Sequence, residues 1–208
     1  KTSETNREEL AELMVGRKVL LRVEKKPANP GRIVLSAENL DHIDNLGIHR
    51  LKNINFEVHS GEIVGVAGVS GNGQSELLDI ITGINPLQNG TIKINAQEIT
   101  PESSVDAASM RRLGMAHVPE DRQRMGLVMS FAASENIILG YHMDPNYNGL
   151  IEMDRDAITK SCRDQMEHFD VRPGNPLLKV SLFSGGNQQK MVVAREMERN
   201  TDLLVVGQ

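Results

Sequence analysis

The 208-residue chain is 39% hydrophobic and 25% charged, a balance typical of a globular protein. Its 23 basic and 28 acidic residues give a net charge of −5, and aromatic residues make up only 3%. This composition argues against a basic nucleic-acid footprint and against aromatic platforms for stacked bases. Cys162 is the single cysteine, which excludes an internal disulfide and a cysteine-based metal cage.

The first half of the chain predicts strands followed by a helix. A short helix is expected at residues 7–14, and strands are expected at Ile33–Ala37 and Ile54–Val58. Ile63–Ala67 is a run of apolar and small residues, typical of a strand buried on both faces. A glycine-rich stretch comes next, and Ser75–Ile84 then predicts a helix. This order indicates a strand–loop–helix unit.

The second half repeats this alternation and becomes more helical. The expected elements are a strand at Thr91–Ile94, a helix at Asp106–Arg112, a strand at Met115–Val118, a helix capped by Asp154, a helix at Gly185–Met197 and a strand at Leu203–Val206. Alternating strands and helices predict an α/β protein.

One apolar stripe identifies a core helix. Ile158, Cys162, Met166 and Phe169 recur at helical spacing after Asp154. We therefore expect Cys162 to be a packing residue without another role.

The glycine-rich stretch is a candidate phosphate-binding loop. Residues 68–75 match the pattern G-x-x-x-x-G-K-[ST] except at Gln74, where the pattern has lysine. Backbone N–H groups of such a loop surround phosphate oxygens, and Ser75 is placed to ligate Mg²⁺. A neutral amide in place of the lysine should weaken triphosphate binding by about one or two kcal/mol. The alternative is a glycine-rich turn without a ligand. The candidate nucleotide-binding residues are Gly68, Ser70, Gly71, Asn72, Gly73, Gln74 and Ser75.

A second glycine motif opens the helix expected near residue 185. Residues 183–190 read Phe-Ser-Gly-Gly-Asn-Gln-Gln-Lys. Ser184, Gly185 and Gly186 at a helix N-terminus would offer free N–H groups and a hydroxyl to an anion. Alone, the motif is better explained as a simple N-cap at Ser184, with the glycines allowing close packing.

Together, the two motifs resemble the nucleotide-binding domain of ATP-binding cassette (ABC) transporters. The first resembles the Walker A loop and the second the signature motif. Residues 118–122 lie where the family has its Q-loop, with Glu120 in place of the usual glutamine, and residues 203–208 resemble the Walker B strand. The resemblance implies a P-loop NTPase core with an antiparallel β subdomain and a helical signature subdomain. It also implies nucleotide contacts from Ser184, Gly185, Gly186, Asn187 and Gln188.

A narrower resemblance is to the second cassette of fused double-cassette ATPases that serve simple-sugar and nucleoside importers. It rests on the segments 71–77, 118–122 and 184–190. We therefore expect residues 1–31 to be the tail of a preceding cassette with a linker. Residues 32–208 would then be a nucleotide-binding domain truncated after Walker B.

Several positions depart from the family pattern. The Walker B strand usually ends in Asp-Glu, but Gly207 and Gln208 stand there. Together with Gln74, these changes indicate that the cassette's own ATP and Mg²⁺ site is degenerate, with weak or no hydrolysis. The remaining catalytic candidates are Gln208 and Glu120, and the metal candidates are Ser75 and Glu120. For Glu120, Mg²⁺ contact and simple solvation are both open.

The family's adenine-stacking position is also altered. No aromatic residue lies between Arg32 and Asn55, so His42 and His49 are either substitutes for it or ordinary loop residues.

The resemblance also implies partners. They are the first cassette, transmembrane permease subunits and, indirectly, an extracytoplasmic solute-binding protein, but no nucleic acid. The expected location is the cytoplasmic face of the membrane.

The signature would complete the ATP site of the partner cassette, and residues 125–136 either receive a coupling helix of the permease or belong to the helical core. The alternatives are a non-catalytic nucleotide-sensing or dimerisation module and an ABC-type ATPase of translation or DNA repair, which the acidic charge disfavours.

Overall fold

The computed structural model describes residues 6–15, 27–149 and 151–207. The chain divides into two units, residues 1–30 and residues 31–208. Helix α1, Arg7–Val15, lies in the first unit and confirms the helix expected there. The assignment of residues 1–31 to a preceding cassette stays a prediction.

Four antiparallel strands form the first layer of the second unit. They are β1 (Ile33–Ile43), β2 (His49–His59), β3 (Asn89–Ile94) and β4 (Gln97–Ile99), in the order β2-β1-β3-β4. The β1–β2 pair is a hairpin, because a short turn connects neighbouring antiparallel strands. This sheet is the antiparallel β subdomain that the sequence predicted.

A parallel strand pair and two helices lie behind that sheet. The strands are β5 (Met115–Val118) and β6 (Leu203–Val206), paired in register, and the helices are α2 (Gln74–Ile81) and α3 (Ala107–Arg112). One apolar core joins all of these elements. Its largest fully buried side chains are Leu40, Ile80, Ile92, Ile94, Ile99 and Met110.

Three helices build the helical part. They are α4 (Ala133–Ile137), α5 (Arg155–His168) and α6 (Gly185–Met197), which surround a second apolar core. The Asp154 carboxylate accepts a hydrogen bond from the Ala157 N–H at 2.9 Å, so the expected cap of α5 is confirmed. Cys162 is fully buried in this core, and burial raises the pKa of its thiol to about 12. The packing role predicted for it is confirmed.

The predicted buried strand at Ile63–Ala67 is wrong. Residues 62–69 form neither strand nor helix, and the side chains of Ile63 and Val66 are 85% and 61% exposed. Apolar composition indicated burial, but a strand also needs a hydrogen-bonded neighbour. Within the described residues no strand pairs with this segment, and an open cavity is lined by both the segment and β6.

Candidate functional site

The candidate phosphate loop runs from this unpaired segment into α2. Gly73 precedes the helix with φ +97°, a left-handed conformation that favours glycine. A Cβ at Gly73 would lie 2.5 Å from the Arg50 carbonyl oxygen of β2. Glycine is therefore required here both for the backbone conformation and for the close approach of β2.

Arg50 holds the loop in place, and no sequence motif points to it. Its Nη1 donates to the Gly71 carbonyl oxygen at 3.0 Å, and its Nε donates to the Asp44 carboxylate at 2.7 Å. Glu76, in the first turn of α2, lies 3.6 Å from the same Nε. The guanidinium thus links β2, the loop and the helix, and it is already engaged by two carboxylates.

Gln74 lies across the loop in the position of the family's lysine. Its Nε2 donates to the Val69 carbonyl oxygen at 3.3 Å. A Cβ at Gly68 would collide with the same amide, so Gly68 leaves room for it. The loop therefore presents a neutral donor that is partly engaged by its own backbone.

Ser75 and Glu120 are brought together, as a shared metal site requires. The Ser75 hydroxyl donates to the Glu120 carboxylate at 3.1 Å. Glu120 follows β5 and Gly207 follows β6, and the carboxyl ends of parallel strands meet at one edge. A Cβ at Gly207 would lie 2.9 Å from the Glu120 backbone nitrogen, so glycine permits this close approach.

The donor set fits Mg²⁺ only together with nucleotide phosphates. Mg²⁺ is usually held by one or two carboxylates, substrate phosphates and water. Ser75 and Glu120 supply one hydroxyl and one carboxylate. Within the described ranges, no group of three or more His, Cys, Asp or Glu side chains is placed to hold a metal ion.

The surroundings of Ser75 are negative. Burial, Glu76 and Glu120 raise the pKa of Asp79 above its usual value of 3.8. Burial is the largest cause of this rise, and the like charges of Glu76 and Glu120, which lie close to Ser75, add to it. This charge attracts a divalent cation and opposes a bare triphosphate.

An open cavity of about 880 Å³ lies beside the loop. The loop residues Gly68, Ser70, Gly71, Gln74 and Ser75 line it, together with Glu120 and Gly207. None of the residues from Ser184 to Gln188 lines it. The structure therefore brings the Walker A and Walker B candidates together and leaves the signature candidates out.

The signature candidates form the first turn of α6. Ser184 is the N-cap of the helix and is exposed, and Gly185 and Gly186 begin it. A Cβ at Gly185 would lie 2.6 Å from Nη2 of Arg122, which comes from the turn after β5. Glycine thus admits a guanidinium to a helix N-terminus, where free N–H groups already favour an anion.

The side chain of Gln188 is buried and makes hydrogen bonds inside the protein. It is 3% exposed, and its Nε2 donates to the carbonyl oxygens of Val180 and Phe183 at 3.2 and 3.1 Å. Its Oε1 accepts from Gln123 at 3.0 Å. These bonds hold the turn before α6, and the nucleotide contact expected from Gln188 stays a prediction.

The other candidates have definite positions or lie outside the structure described. His42 is a buried residue of β1, and His49 begins β2 with its Nε2 2.8 Å from the Asp41 carboxylate. Both are strand residues. Gln208, the expected water-orienting residue, lies outside the described residues.

Comparisons with known proteins agree with these motifs. The family model described as ABC transporter matches residues 51–206. The guanosine import ATP-binding protein NupO of Bacillus subtilis is 38% identical over 99% of this chain and 40% of its own length. The nucleoside import ATP-binding protein NupA of Lactococcus lactis is 42% identical over 97% of this chain and 39% of its own. The chain thus spans about two fifths of the length of these curated relatives.

Solved structures show the same fold. A nucleotide-free ATP-binding cassette from an ABC transporter superposes with a TM-score of 0.66 at 19% identity, covering 84% of this chain and 68% of its own. A dimeric cassette bound to ADP and Pi gives 0.67 at 24% identity, covering 83% and 72%. None of the described helices is long and apolar enough to cross a membrane. The match over most of the chain, the relatives and the fold together place this chain in the ABC transporter family, as an ATP-binding cassette.

Proposed function

We propose that this chain is the second cassette of a fused double-cassette ATP-binding protein that drives import of a nucleoside or simple sugar. Its own nucleotide site is degenerate, and its signature motif completes the ATP site of the first cassette. The observation that carries the proposal is the contrast between two turns. The phosphate loop has lost its lysine to Gln74, whereas Ser184, Gly185 and Gly186 form an intact helix N-terminus with Arg122 beside it.

The relatives support the transport role. Their names describe import of guanosine, nucleosides and ribose, and each is more than twice as long as this chain. A protein of that length has room for a first cassette before this one. The partners we propose are that cassette, transmembrane permease subunits and, through them, an extracytoplasmic solute-binding protein. The protein would then act at the cytoplasmic face of the membrane.

At its own loop, this cassette binds ATP weakly. The loop N–H groups and Ser75 would hold phosphates and Mg²⁺, with the Glu120 carboxylate beside them. Gln74 supplies a neutral hydrogen bond where charge develops during phosphoryl transfer, and Gly207 supplies no ligand at all. Gln208 would orient water but is a poor base. Slow or absent turnover at this site follows.

At the signature, the same reasoning predicts a productive contact. The Ser184 hydroxyl, the first N–H groups of α6 and the Arg122 guanidinium all favour an anion at one place. A terminal phosphate held on the partner cassette's loop would receive these donors. Charge on that phosphate grows in the transition state, so the donors would raise turnover.

The permease contact is proposed for the surface that begins at Met125. Met125 and Phe131 are 47% and 43% exposed, whereas Leu127 is buried in the helical core. A cavity of about 280 Å³ beside Met125 is also lined by Ile84, Met115, Arg111 and His117. Apolar side chains beside the Arg111 guanidinium suit an amphipathic helix.

The proposed function is tested by steady-state ATP hydrolysis in the full-length protein. Ser184→Ala should lower turnover by about tenfold or more, because it removes a donor to the terminal phosphate. Ser181→Ala is the matched control, an exposed serine whose hydroxyl makes no hydrogen bond to any described residue. Equal turnover in the two variants would favour the non-catalytic nucleotide-sensing module instead.

The domain assignment, a cassette that continues past the last strand described, is also a proposal. It is supported by the solved cassette of which this chain covers 68%, and by the exposed apolar residues Ile63 and Val66 facing solvent beside the open cavity. Hydrogen exchange should show protected amides at residues 63–67 in the full-length protein. Rapid exchange there would contradict it.

A further inference from the structure

Both polar atoms of the Asn187 side-chain amide make hydrogen bonds within the protein. Its Nδ2 donates to the Ser184 hydroxyl oxygen at 2.9 Å, and the Asn187 backbone N–H approaches the same oxygen at 3.5 Å. Its Oδ1 accepts from the Arg172 backbone N–H at 2.8 Å. Asn187 therefore touches the signature serine, but its own polar atoms point to protein partners.

The two donations decide where the hydroxyl hydrogen of Ser184 can point. A serine hydroxyl has one hydrogen and two acceptor lone pairs. Because both donors from Asn187 approach the oxygen, the lone pairs are directed at Asn187 and the hydrogen is directed away from it. Ser184 is exposed, so that hydrogen faces outward from the N-terminus of α6.

The orientation of the Asn187 amide is itself fixed. The Arg172 N–H can pair only with the amide oxygen, so the NH₂ end must face Ser184. Asp170 holds this loop: its carboxylate accepts from Arg172 Nε at 3.0 Å and from Lys190 Nζ at 3.1 Å. Lys190 also donates to the Asp170 carbonyl oxygen at 2.6 Å. The loop before α6 is thus tied to the helix, which keeps the amide in one orientation.

We propose that Asn187 is a positioning residue that aims the Ser184 hydroxyl hydrogen outward, at the terminal phosphate of a nucleotide held by the partner cassette. Asn187 does not contact the nucleotide. A residue at this position must donate to the serine oxygen and accept from the Arg172 N–H, and an amide does both. The inference rests on the proposed function of the signature motif.

Asn187→Asp tests this directly, because it reverses one hydrogen bond and preserves the other. The carboxylate still accepts a hydrogen bond from the Arg172 N–H. Because a carboxylate has no hydrogen to donate, the Ser184 hydroxyl must now donate to it. The serine hydrogen then turns inward, and an oxygen lone pair faces the phosphate. An acidic residue in the first turn of a helix is stabilising, so the variant should fold as well as the wild type.

The experiment measures ATP turnover, the KM for ATP and thermal unfolding of the full-length protein. Asn187→Asp should lower kcat by about tenfold or more with a smaller change in KM and no loss of melting temperature. In a Ser184→Ala background, the same substitution should change kcat by less than about twofold, because the hydroxyl it acts through is gone. Asn175→Asp is the control, an exposed asparagine whose Oδ1 already serves only as an acceptor.

The outcomes separate the two proposals. Ser184→Ala with wild-type turnover would overturn the proposed function and this inference with it. Ser184→Ala that is slow while Asn187→Asp keeps wild-type kcat would overturn this inference alone. Multiplied losses in the double variant would also overturn it, since they would show that Asn187 acts independently of the serine hydroxyl.

Discussion

The phosphate loop and the signature turn use the same elements, glycines and a serine at a helix N-terminus, yet differ in how they are supported. The loop is preceded by an exposed, unpaired segment and carries a neutral Gln74. The signature turn is followed by a buried Gln188 and is fixed through Asn187 to the loop at Arg172. Motif similarity alone does not reveal this difference, because it lies in the neighbours of each motif.

The largest predicted effect concerns the interior of the helical part, near the C-terminal end of α6. Glu196 is fully buried and accepts hydrogen bonds from Arg195 at 2.8 Å and from Tyr141 at 2.6 Å. Glu196→Ala leaves the buried Arg195 charge without its carboxylate, which should lower the free energy of unfolding by about 3–5 kcal/mol. Denaturant unfolding of the chain measures this.

A matched control is Glu198→Ala. Glu198 is 44% exposed and lies 3.4 Å from His168, so its loss should cost less than about 1 kcal/mol. Similar losses for the two variants would contradict the view that the buried Glu196 carboxylate stabilises the helical part of the protein.

A smaller effect is expected at the phosphate loop. Gln74→Lys replaces a neutral donor by a charged one, which should tighten Mg·ATP binding by about tenfold. Isothermal titration calorimetry measures the affinity. Gln97→Lys makes the same charge change at an exposed position of β4 and should leave the affinity for Mg·ATP unaltered. Unchanged affinity in Gln74→Lys would show that the missing lysine is not the reason for weak nucleotide binding at the loop.

The smallest effect is a pH dependence that arises from His117 in β5. Burial lowers the pKa of His117 below its ordinary value of 6.5, with Glu196 opposing and Arg111 and Arg195 adding to the shift. Between the two pKa values the unfolded chain binds more protons than the folded one, so stability falls as the pH drops below about 6.5.

Unfolding experiments at about pH 7.5 and about pH 5.5 should therefore show a smaller acid-induced loss in His117→Gln than in the wild type. His142→Gln, at an exposed histidine, serves as the control. Equal losses of stability in all three proteins would show that His117 does not cause the acid-induced loss.

Much of the fold was predictable from local pattern. Asp154 marked the start of α5, and the stripe through Cys162 marked its buried face, because capping and periodicity are local properties. The strand expected at Ile63–Ala67 failed, since strand formation depends on a partner that no local pattern reveals. In the candidate site, too, local motifs were predictable and contacts between distant residues were not. The glycines and serines were found from spacing, but Arg50 and Arg172 act through backbone contacts 21 and 15 residues away in sequence.

We expect the two turns to contribute unequally to hydrolysis. Comparing the ATP turnover of Ser184→Ala and Ser75→Ala in the full-length protein tests this. We expect Ser184→Ala to lose about tenfold or more and Ser75→Ala to lose clearly less, because Ser75 serves the degenerate site. A larger loss in Ser75→Ala than in Ser184→Ala would contradict the account.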